Sequence, residues 1–322
     1  MHVRTWILAG LTASVTVMFT SGCAVRRMEQ ESIPAWERPI ELPRPVVRKP
    51  MPPATPLHAA VEEGLTEAAI EAIKANKATV NQRGNDSYYP LHWAAWHGDQ
   101  VVVKALLAAG ANPNATTSKK QTPLHLAATH NKKEVVDLLI ANKASVDAQD
   151  SSGLTPLYEV GLMGHIDVAK TLIEAGANVN HAEPHHRITV LHRAARAGHL
   201  ELIQVLLTSG AELDQKDEGG WSALYWASAH GHADVVRHLI QQAADLSVKD
   251  LRYSRTSLHQ ATMNRHRETV QALVEGGVDI NAVAGDGHTA LDMAISRYKG
   301  KPRAPQIQHY LQKHGARRNQ GG

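Results

Sequence analysis

The residues that could carry chemistry by themselves in this 322-residue chain are a single cysteine, Cys23, and twenty histidines. One cysteine excludes an intramolecular disulfide and any site built from several thiolates, such as a structural zinc site or an iron–sulfur cluster. Histidine titrates near neutral pH and binds metals, so twenty of them could indicate a metal site, a pH sensor or a general base. The positions of the histidines decide between these interpretations.

The sequence contains none of the common catalytic motifs. It has no phosphate-binding glycine loop, no dinucleotide glycine motif after a strand, and no G-x-S-x-G or H-E-x-x-H segment, and its only cysteine lies in the N-terminal apolar region. The formal net charge of +3 gives no strong basic field that would indicate nucleic acid. We therefore expect a protein that is not an enzyme, with no cofactor, metal, nucleic acid or small-molecule substrate.

The N-terminus has the organisation of a secretory signal. A basic start, MHVRT, precedes an apolar run from Trp6 to Phe19, and small residues follow. The run would reach about 21 Å as a helix, which is too short to span a hydrocarbon core of roughly 30 Å stably. We predict that residues 1–22 are a cleaved signal peptide.

The residues just before Cys23, Thr20-Ser21-Gly22, resemble the lipobox of bacterial lipoproteins, with Thr20 at the position that usually holds leucine. The resemblance implies cleavage before Cys23 and acylation of that cysteine. Because Ala24 rather than aspartate follows, it also implies the outer membrane of a Gram-negative cell. A reactive thiolate and the affinity of more than one acyl chain for a bilayer are consistent with this anchor. The alternative is a plain secretory signal, which would give a secreted or soluble periplasmic protein.

Residues 23–54 are rich in proline. Proline at this density excludes helices and central strands and favours extended polyproline II, which reaches about 3.1 Å per residue. We predict a tether between the lipidated cysteine and the rest of the chain. A proline-rich ligand for a partner domain, for example Pro50 to Pro53, is the alternative.

From Thr55 onward one motif occurs eight times. The copies are TPLHAA, YPLHWAA, TPLHLAA, TPLYEVG, TVLHRAA, SALYWAS, TSLHQAT and TALDMAI, which begin at residues 55, 89, 122, 155, 189, 222, 256 and 289. The steps between them are 33 or 34 residues. The period and the T-P-L-H-x-A pattern closely resemble the ankyrin repeat. The resemblance predicts an all-α solenoid of about eight repeats, each with two short antiparallel helices and a hairpin loop.

The physical chemistry of one copy supports the same fold. Threonine supplies an N-cap oxygen and proline fits the first helical position, so the motif begins a helix. Glycines such as Gly98 turn the chain, and Gly110 ends a second, amphipathic helix. Such short helices do not persist alone in water, so neighbouring repeats must bury each other's apolar faces. The polar first and last copies are typical of caps, and we expect residues 55–322 to form one complete array.

Most of the histidines belong to this repeat. They occupy the fourth motif position or flank the glycine turn, at His58, His92, His125, His192, His259, His97, His130, His165, His199, His230 and His232. The resemblance implies that the motif histidines hydrogen-bond the turn of an adjacent repeat. The cluster of His181, His185 and His186 stands apart, and a divalent metal is one interpretation of it. No helical carboxylate–histidine spacing accompanies the cluster, so solvated loop residues or partner contacts are favoured.

The resemblance also implies which residues contact a partner. Ankyrin proteins bind through the hairpin tips and the end of the first helix, where large side chains would be exposed and would not stabilise the fold. The predicted partner-binding residues are Tyr88, Trp96, His97, Leu154, Leu162, Met163, Ile188, Arg196, Trp221, His230, Arg252, Tyr253 and Arg255. Trp93 and Trp226, which follow the motif histidine or tyrosine, are expected in the core.

Together these features predict an exported, lipid-anchored module that binds another protein in the bacterial cell envelope through its concave face and hairpin tips. We expect a monomeric outer-membrane lipoprotein that faces the periplasm. A more specific version is an inhibitor or immunity protein for an envelope-acting enzyme or toxin. A structural envelope spacer and a secreted, host-directed effector are the alternatives.

Overall fold

The computed structural model describes residues 55–84, 87–295 and 304–319. In these ranges the regular structure is helical, apart from three isolated β-bridges. No helix in these ranges combines the length and apolar character needed to cross a membrane. The predicted signal peptide, Cys23 and the proline-rich segment lie outside the described residues.

The helices of the described residues form eight pairs, one for each copy of the motif. The first helices are α1 (Pro56–Glu62), α3 (Pro90–His97), α5 (Pro123–Thr129), α7 (Pro156–Met163), α9 (Val190–Ala197), α11 (Ala223–His230), α13 (Ser257–Met263) and α15 (Ala290–Ile295). The second helices are α2 (Thr66–Ala75), α4 (Gln100–Ala108), α6 (Lys133–Ala141), α8 (Ile166–Glu174), α10 (Leu200–Thr208), α12 (Ala233–Gln241), α14 (Arg267–Glu275) and α16 (Pro305–Lys313). A short 3-10 helix, Lys77–Asn81, follows α2.

The core of the array consists of two columns of aliphatic side chains. The motif leucine of every first helix is at most 3% exposed, from Leu57 in α1 to Leu291 in α15. In the second helices, Leu106 and its equivalents in later repeats, among them Leu172 and Leu311, are fully buried. Each first helix packs against its own second helix and against the first helices of neighbouring repeats. Each buried leucine contributes about 1.5–3 kcal/mol, and it does so only when the next repeat covers it.

The helix ends follow the predicted chemistry. In α5, α9 and α13 the N-cap threonine and the motif histidine form a reciprocal capping box, as in Thr122 with His125. The glycine turn after α3, α7, α9 and α11 is in the left-handed conformation, with φ of 81° at Gly98. Gly110 likewise adopts a φ of 91° directly after the second helix α4 and its cap. A residue with a Cβ would be strained at both positions.

In two of the repeats that lack the motif histidine, another side chain at that position makes the bond to the segment that follows. In the sixth repeat, the Tyr225 hydroxyl donates to Asp250 Oδ2 at 2.8 Å in the next hairpin. In the last repeat, Asp292 accepts hydrogen bonds from the Thr289 backbone N–H, from Arg318 Nε and from the Asn319 backbone N–H. Burial raises the pKa of Asp292, but these hydrogen bonds outweigh it and lower that pKa to about 2. The C-terminal residues Arg318 and Asn319 therefore supply the last motif with the hydrogen bonds that a following repeat would otherwise provide.

Candidate functional site

Four of the motif histidines link their repeat to the following one. The Nε2 atoms of His92, His125, His192 and His259 lie 3.0–3.1 Å from the backbone oxygens of Gln121, Leu154, Trp221 and His288. On the other side of the ring, Nδ1 accepts from the backbone N–H of the N-cap residue, at 3.1 Å in His125. Because both nitrogens are used by the neutral ring, these histidines hold turns together and do not supply a metal ligand or a base.

Burial determines the charge of the motif histidines. Loss of hydration lowers the pKa of His92, His192 and His259 to about 4, so they are neutral at neutral pH. Proton uptake at Nδ1 would also remove the acceptor that the N-cap N–H requires. The hydrogen bonds of the motif histidines are therefore sensitive to acid.

A second set of histidines, at the turn between the first and second helix of a repeat, bonds in the opposite direction. The Nε2 atoms of His97, His165, His199, His232 and His266 lie 2.8–3.1 Å from backbone oxygens of the preceding repeat. The sequence interpretation identified most of these positions but not this role. Their recurrence at this turn was the available signal. His97, a predicted partner contact, therefore also has a structural bond, to the Glu62 carbonyl.

Two of the three histidines of the HAEPHH segment have partners in different hairpins. His181 Nε2 lies 2.8 Å from the Gly153 carbonyl oxygen, and His186 Nδ1 lies 3.2 Å from Glu218 Oε2. Nowhere in the described part of the chain do three histidine, cysteine or acidic side chains come together so that they could hold a metal. The cluster serves contacts between neighbouring hairpins.

Two of the predicted contact residues are not exposed. Trp221 is 4% exposed, with its ring centroid 4.5 Å from Tyr225 and 4.9 Å from Trp226. Asp217 fixes this arrangement, since it accepts from the Trp221 backbone N–H at 2.8 Å and from Trp226 Nε1 at 2.9 Å. The prediction that Trp221 is an exposed contact is wrong, because its hairpin folds the indole onto the first helix.

Arg255 is also buried, at 4% exposed. Its guanidinium carbon lies 4.2 Å from the centre of the Tyr253 ring, and its Nη2 lies 3.7 Å from Asp286 Oδ2 in the next hairpin. The prediction of an exposed contact is wrong here as well. The arginine charge is used to join two hairpins.

The other predicted contact residues remain at least partly accessible. Tyr88, Trp96, Leu154, Leu162, Met163, Ile188, Arg196 and Tyr253 are half-buried, while His97, His230 and Arg252 are exposed. Trp226 is in the core, as predicted, at 1% exposed. Trp93 is only half-buried, and its ring stacks on Tyr88 with 4.9 Å between centroids. Trp96 in turn stacks on His130 in the next repeat at 4.3 Å.

Six of these accessible residues share one register. Each stands seven or eight residues after the first residue of its motif, at the C-terminal end of a first helix, and we call them the first-helix surface. They are Trp96, His97, Leu162, Met163, Arg196 and His230. The surface runs through the second, fourth, fifth and sixth repeats, so one ligand could contact several repeats at once.

Backbone hydrogen bonds hold the hairpins side by side. The N–H groups of Ser151, Glu218, Leu251 and Gly285 donate to carbonyls in the preceding hairpin, at 2.7–2.9 Å. The equivalent residue in the fifth hairpin is Pro184, which has no N–H to donate. Its ring lies close to Gly153, where a Cβ would come within 2.4 Å of Pro184 Cδ. This hairpin is joined to the fourth by packing and by His181 instead.

The stacked helix pairs and bonded hairpins define a helical repeat protein with an open binding surface. A model for three consecutive ankyrin repeats matches residues 45–117, 91–183 and 180–250, and a model for a single ankyrin repeat matches residues 253–282. The chain belongs to the ankyrin-repeat family. Ankyrin arrays are modules for protein–protein interaction, and that is the general role of this chain.

Similar proteins match parts of the array. The chain is 32% identical over 123 residues to alpha-latrotoxin-Lt1a of Latrodectus tredecimguttatus, which covers 37% of this chain and 9% of the toxin. It is 35% identical over 80 residues to the human inhibitor of Bruton tyrosine kinase, which covers 25% of this chain and 6% of that protein. This chain therefore spans less than a tenth of the length of either relative.

Two solved structures show the same architecture over most of the array. The ankyrin repeat domain of human ASB11 superposes with a TM-score of 0.62 and 26% identity, covering 70% of this chain and 98% of that domain. The ankyrin repeat domain of Bcl-3, described as a member of the IkappaB family, gives 0.60 and 29%, covering 68% and 98%. The predicted all-α ankyrin solenoid is confirmed.

Proposed function

We propose that this protein is an exported, lipid-anchored ankyrin module that binds a protein partner in the bacterial cell envelope. The observation that carries the binding proposal is the first-helix surface, where aromatic, aliphatic and basic side chains stay accessible in four repeats. Tryptophan and arginine are the residues that most often dominate binding energy in protein interfaces. The partner is therefore expected to lie across the second to sixth repeats.

The anchor is proposed from the sequence. Residues 1–22 would be removed, Cys23 would be acylated, and residues 24–54 would hold the array away from the outer membrane, on its periplasmic side. More than one acyl chain is needed for stable attachment, since a single chain gives only marginal binding. Metabolic labelling with an alkyne fatty acid tests this, with Cys23→Ser as the control. Absence of label on the wild-type chain would contradict the proposed lipid anchor.

Site-specific crosslinking tests the binding surface. A photo-reactive amino acid at Met163, on the first-helix surface, is compared with one at Lys170, an exposed residue of the second helix α8. We expect a discrete adduct from position 163 and none from position 170, and we expect Trp96→Ala to reduce it. Equal adducts from both positions would exclude the proposed surface.

Inhibition of an envelope-acting enzyme or toxin is the specific form of this function that we propose. An open surface across several repeats can cover the active site of another protein without any catalytic residue of its own. The crosslinked partner gives the test, since purified array should reduce its activity at stoichiometric concentration. Unchanged partner activity would leave recruitment or scaffolding as the role.

A further inference from the structure

Four half-buried aromatic rings form a continuous row from the second hairpin, along α3, to the end of α5. The ring centroids of Tyr88 and Trp93 are 4.9 Å apart, those of Trp93 and Trp96 are 5.9 Å apart, and those of Trp96 and His130 are 4.3 Å apart. Burial lowers the pKa of His130 below its usual value, so this ring is neutral at neutral pH. We call these four residues the aromatic ladder.

The ladder differs from the tryptophan cluster of the sixth repeat. Trp226, at the same motif position as Trp93, is 1% exposed and donates its indole N–H to Asp217. The second repeat has Gly84 in place of that aspartate. Among the described residues no acceptor bonds the indole N–H of Trp93 or Trp96, and neither nitrogen is buried. The ladder therefore presents apolar rings together with two accessible hydrogen-bond donors.

A ligand for such a surface has to bring apolar groups and hydrogen-bond acceptors in one segment. An α-helix uses its carbonyls internally, whereas a polyproline II segment has no internal hydrogen bonds and also carries flat apolar rings. Aromatic-lined grooves bind proline-rich segments in this way. One turn of polyproline II rises about 9 Å, so prolines one turn apart can lie against alternate rings of the ladder.

Charged residues give the ladder a direction. Glu62 and Glu63 have the same register in the first repeat as Trp96 and His97 in the second, and Glu63 is exposed. The Glu62 carbonyl lies 3.0 Å from His97 Nε2, which places this acidic pair beside the ladder. On the third-repeat side a cation, Lys132, lies against the glycine turn that follows α3. A basic residue next to the prolines is therefore favoured on the first-repeat side.

We propose that the aromatic ladder binds a proline-rich segment of the protein partner in the polyproline II conformation, with a lysine or arginine of that segment beside Glu62 and Glu63. The rings of Trp93 and Trp96 pack on prolines, and their N–H groups donate to carbonyls of the segment. The inference rests on the proposed function, because Trp96 belongs to the first-helix surface, and it names the kind of segment that this surface recognises.

Random 12-residue peptides displayed on phage and selected on the full-length chain in detergent provide the probe. We expect the selected pool to be enriched in proline, with lysine or arginine beside the prolines. Measured by fluorescence anisotropy, a labelled consensus peptide should bind about tenfold more weakly to Trp96→Ala. It should bind unchanged to Leu162→Ala, a control elsewhere on the first-helix surface.

A charge exchange tests the direction of binding. A consensus peptide whose basic residue is replaced by glutamate should bind the wild-type chain about threefold more weakly. Glu63→Lys should reverse this preference, and Glu67→Lys, at an exposed position of α2, should leave it as in the wild type. A preference that Glu63→Lys does not alter would overturn the assigned direction.

The outcomes separate this inference from the broader function. A pool without proline, or a consensus peptide that binds Trp96→Ala as tightly as wild type, overturns the ladder as the binding site. Binding of chitohexaose with no proline-rich pool assigns the rings to a glycan and also overturns it. If no peptide is selected while Met163 still gives its crosslinked adduct, only this inference fails. Loss of both contradicts the proposed function as well.

Discussion

The two tryptophans that the sequence assigned to a binding surface lie in different environments. Trp221 is enclosed by Tyr225 and Trp226, and Asp217 fixes its backbone, whereas Trp96 keeps part of its surface and stacks on His130. Both assignments came from position relative to the motif. Burial was decided by the residues that adjacent segments place beside each indole, which the motif register does not encode.

Replacing each tryptophan by alanine should separate the two environments. Trp221→Ala removes a fully packed indole and should lower the free energy of unfolding by about 3–5 kcal/mol. Trp96→Ala loses mainly one stacking contact and should cost about 1 kcal/mol. Urea denaturation of the two variants checks this. Equal losses, or a Trp221→Ala protein as stable as the wild type, would contradict the burial that we describe.

At the scale of elements, the packing of α9 against α7 depends on a missing Cβ. Gly161 of α7 stands where other motifs have Ala95, Ala128 or Ala195. A Cβ at Gly161 would lie 2.9 Å from Val190 Cγ2, 3.0 Å from the Val190 oxygen and 3.1 Å from Arg193 Cβ. The glycine thus allows α9 to approach α7 and places Arg193 over Tyr158.

Gly161→Ala should therefore destabilise the array, although alanine is the repeat's own residue at this position. Helix propensity alone would add about 1 kcal/mol of stability. Crowding against Val190 should outweigh it and give a net loss of about 1–2 kcal/mol in urea unfolding.

Ser228→Ala, at the same motif position in α11, is the matched control. Its buried hydroxyl has no hydrogen-bond partner among the described residues, so we expect no loss of stability from its removal. A Gly161→Ala protein that is more stable than the wild type would show that α7 and α9 relax apart without penalty.

The whole array shares one electrostatic property, set by the buried motif histidines. His92, His192 and His259 have pKa values of about 4 in the folded chain against 6.5 as free side chains. Between these values the unfolded chain takes up protons that the folded chain does not, so stability falls as the pH decreases. Each histidine contributes up to about 3 kcal/mol to this loss. Asp217 opposes it, since burial raises its pKa from 3.8 to about 6.

Three histidines outweigh one aspartate, so the free energy of unfolding should drop steeply from pH 7 to pH 4.5. Urea titrations across this range measure the slope. His192→Asn should reduce the slope, while His185→Gln, in an exposed hairpin position, should leave it unchanged. A flat profile in the wild-type protein, or an unaltered slope in His192→Asn, would contradict this account.

The sequence by itself determined the repeat and its helix ends. Those features depend on residues within three or four positions of each other and on a period that recurs, so they are visible in one dimension. Only the tertiary structure decided that Trp221 and Arg255 are buried, that Pro184 interrupts the hairpin hydrogen bonds, and that Arg193 and Arg196 meet aromatic rings from two other repeats. Trp221 is enclosed by Tyr225 and Trp226 of its own repeat, because its hairpin folds back onto the first helix. The other contacts join residues roughly 30 positions apart, and the side chains of the neighbouring repeat fix them.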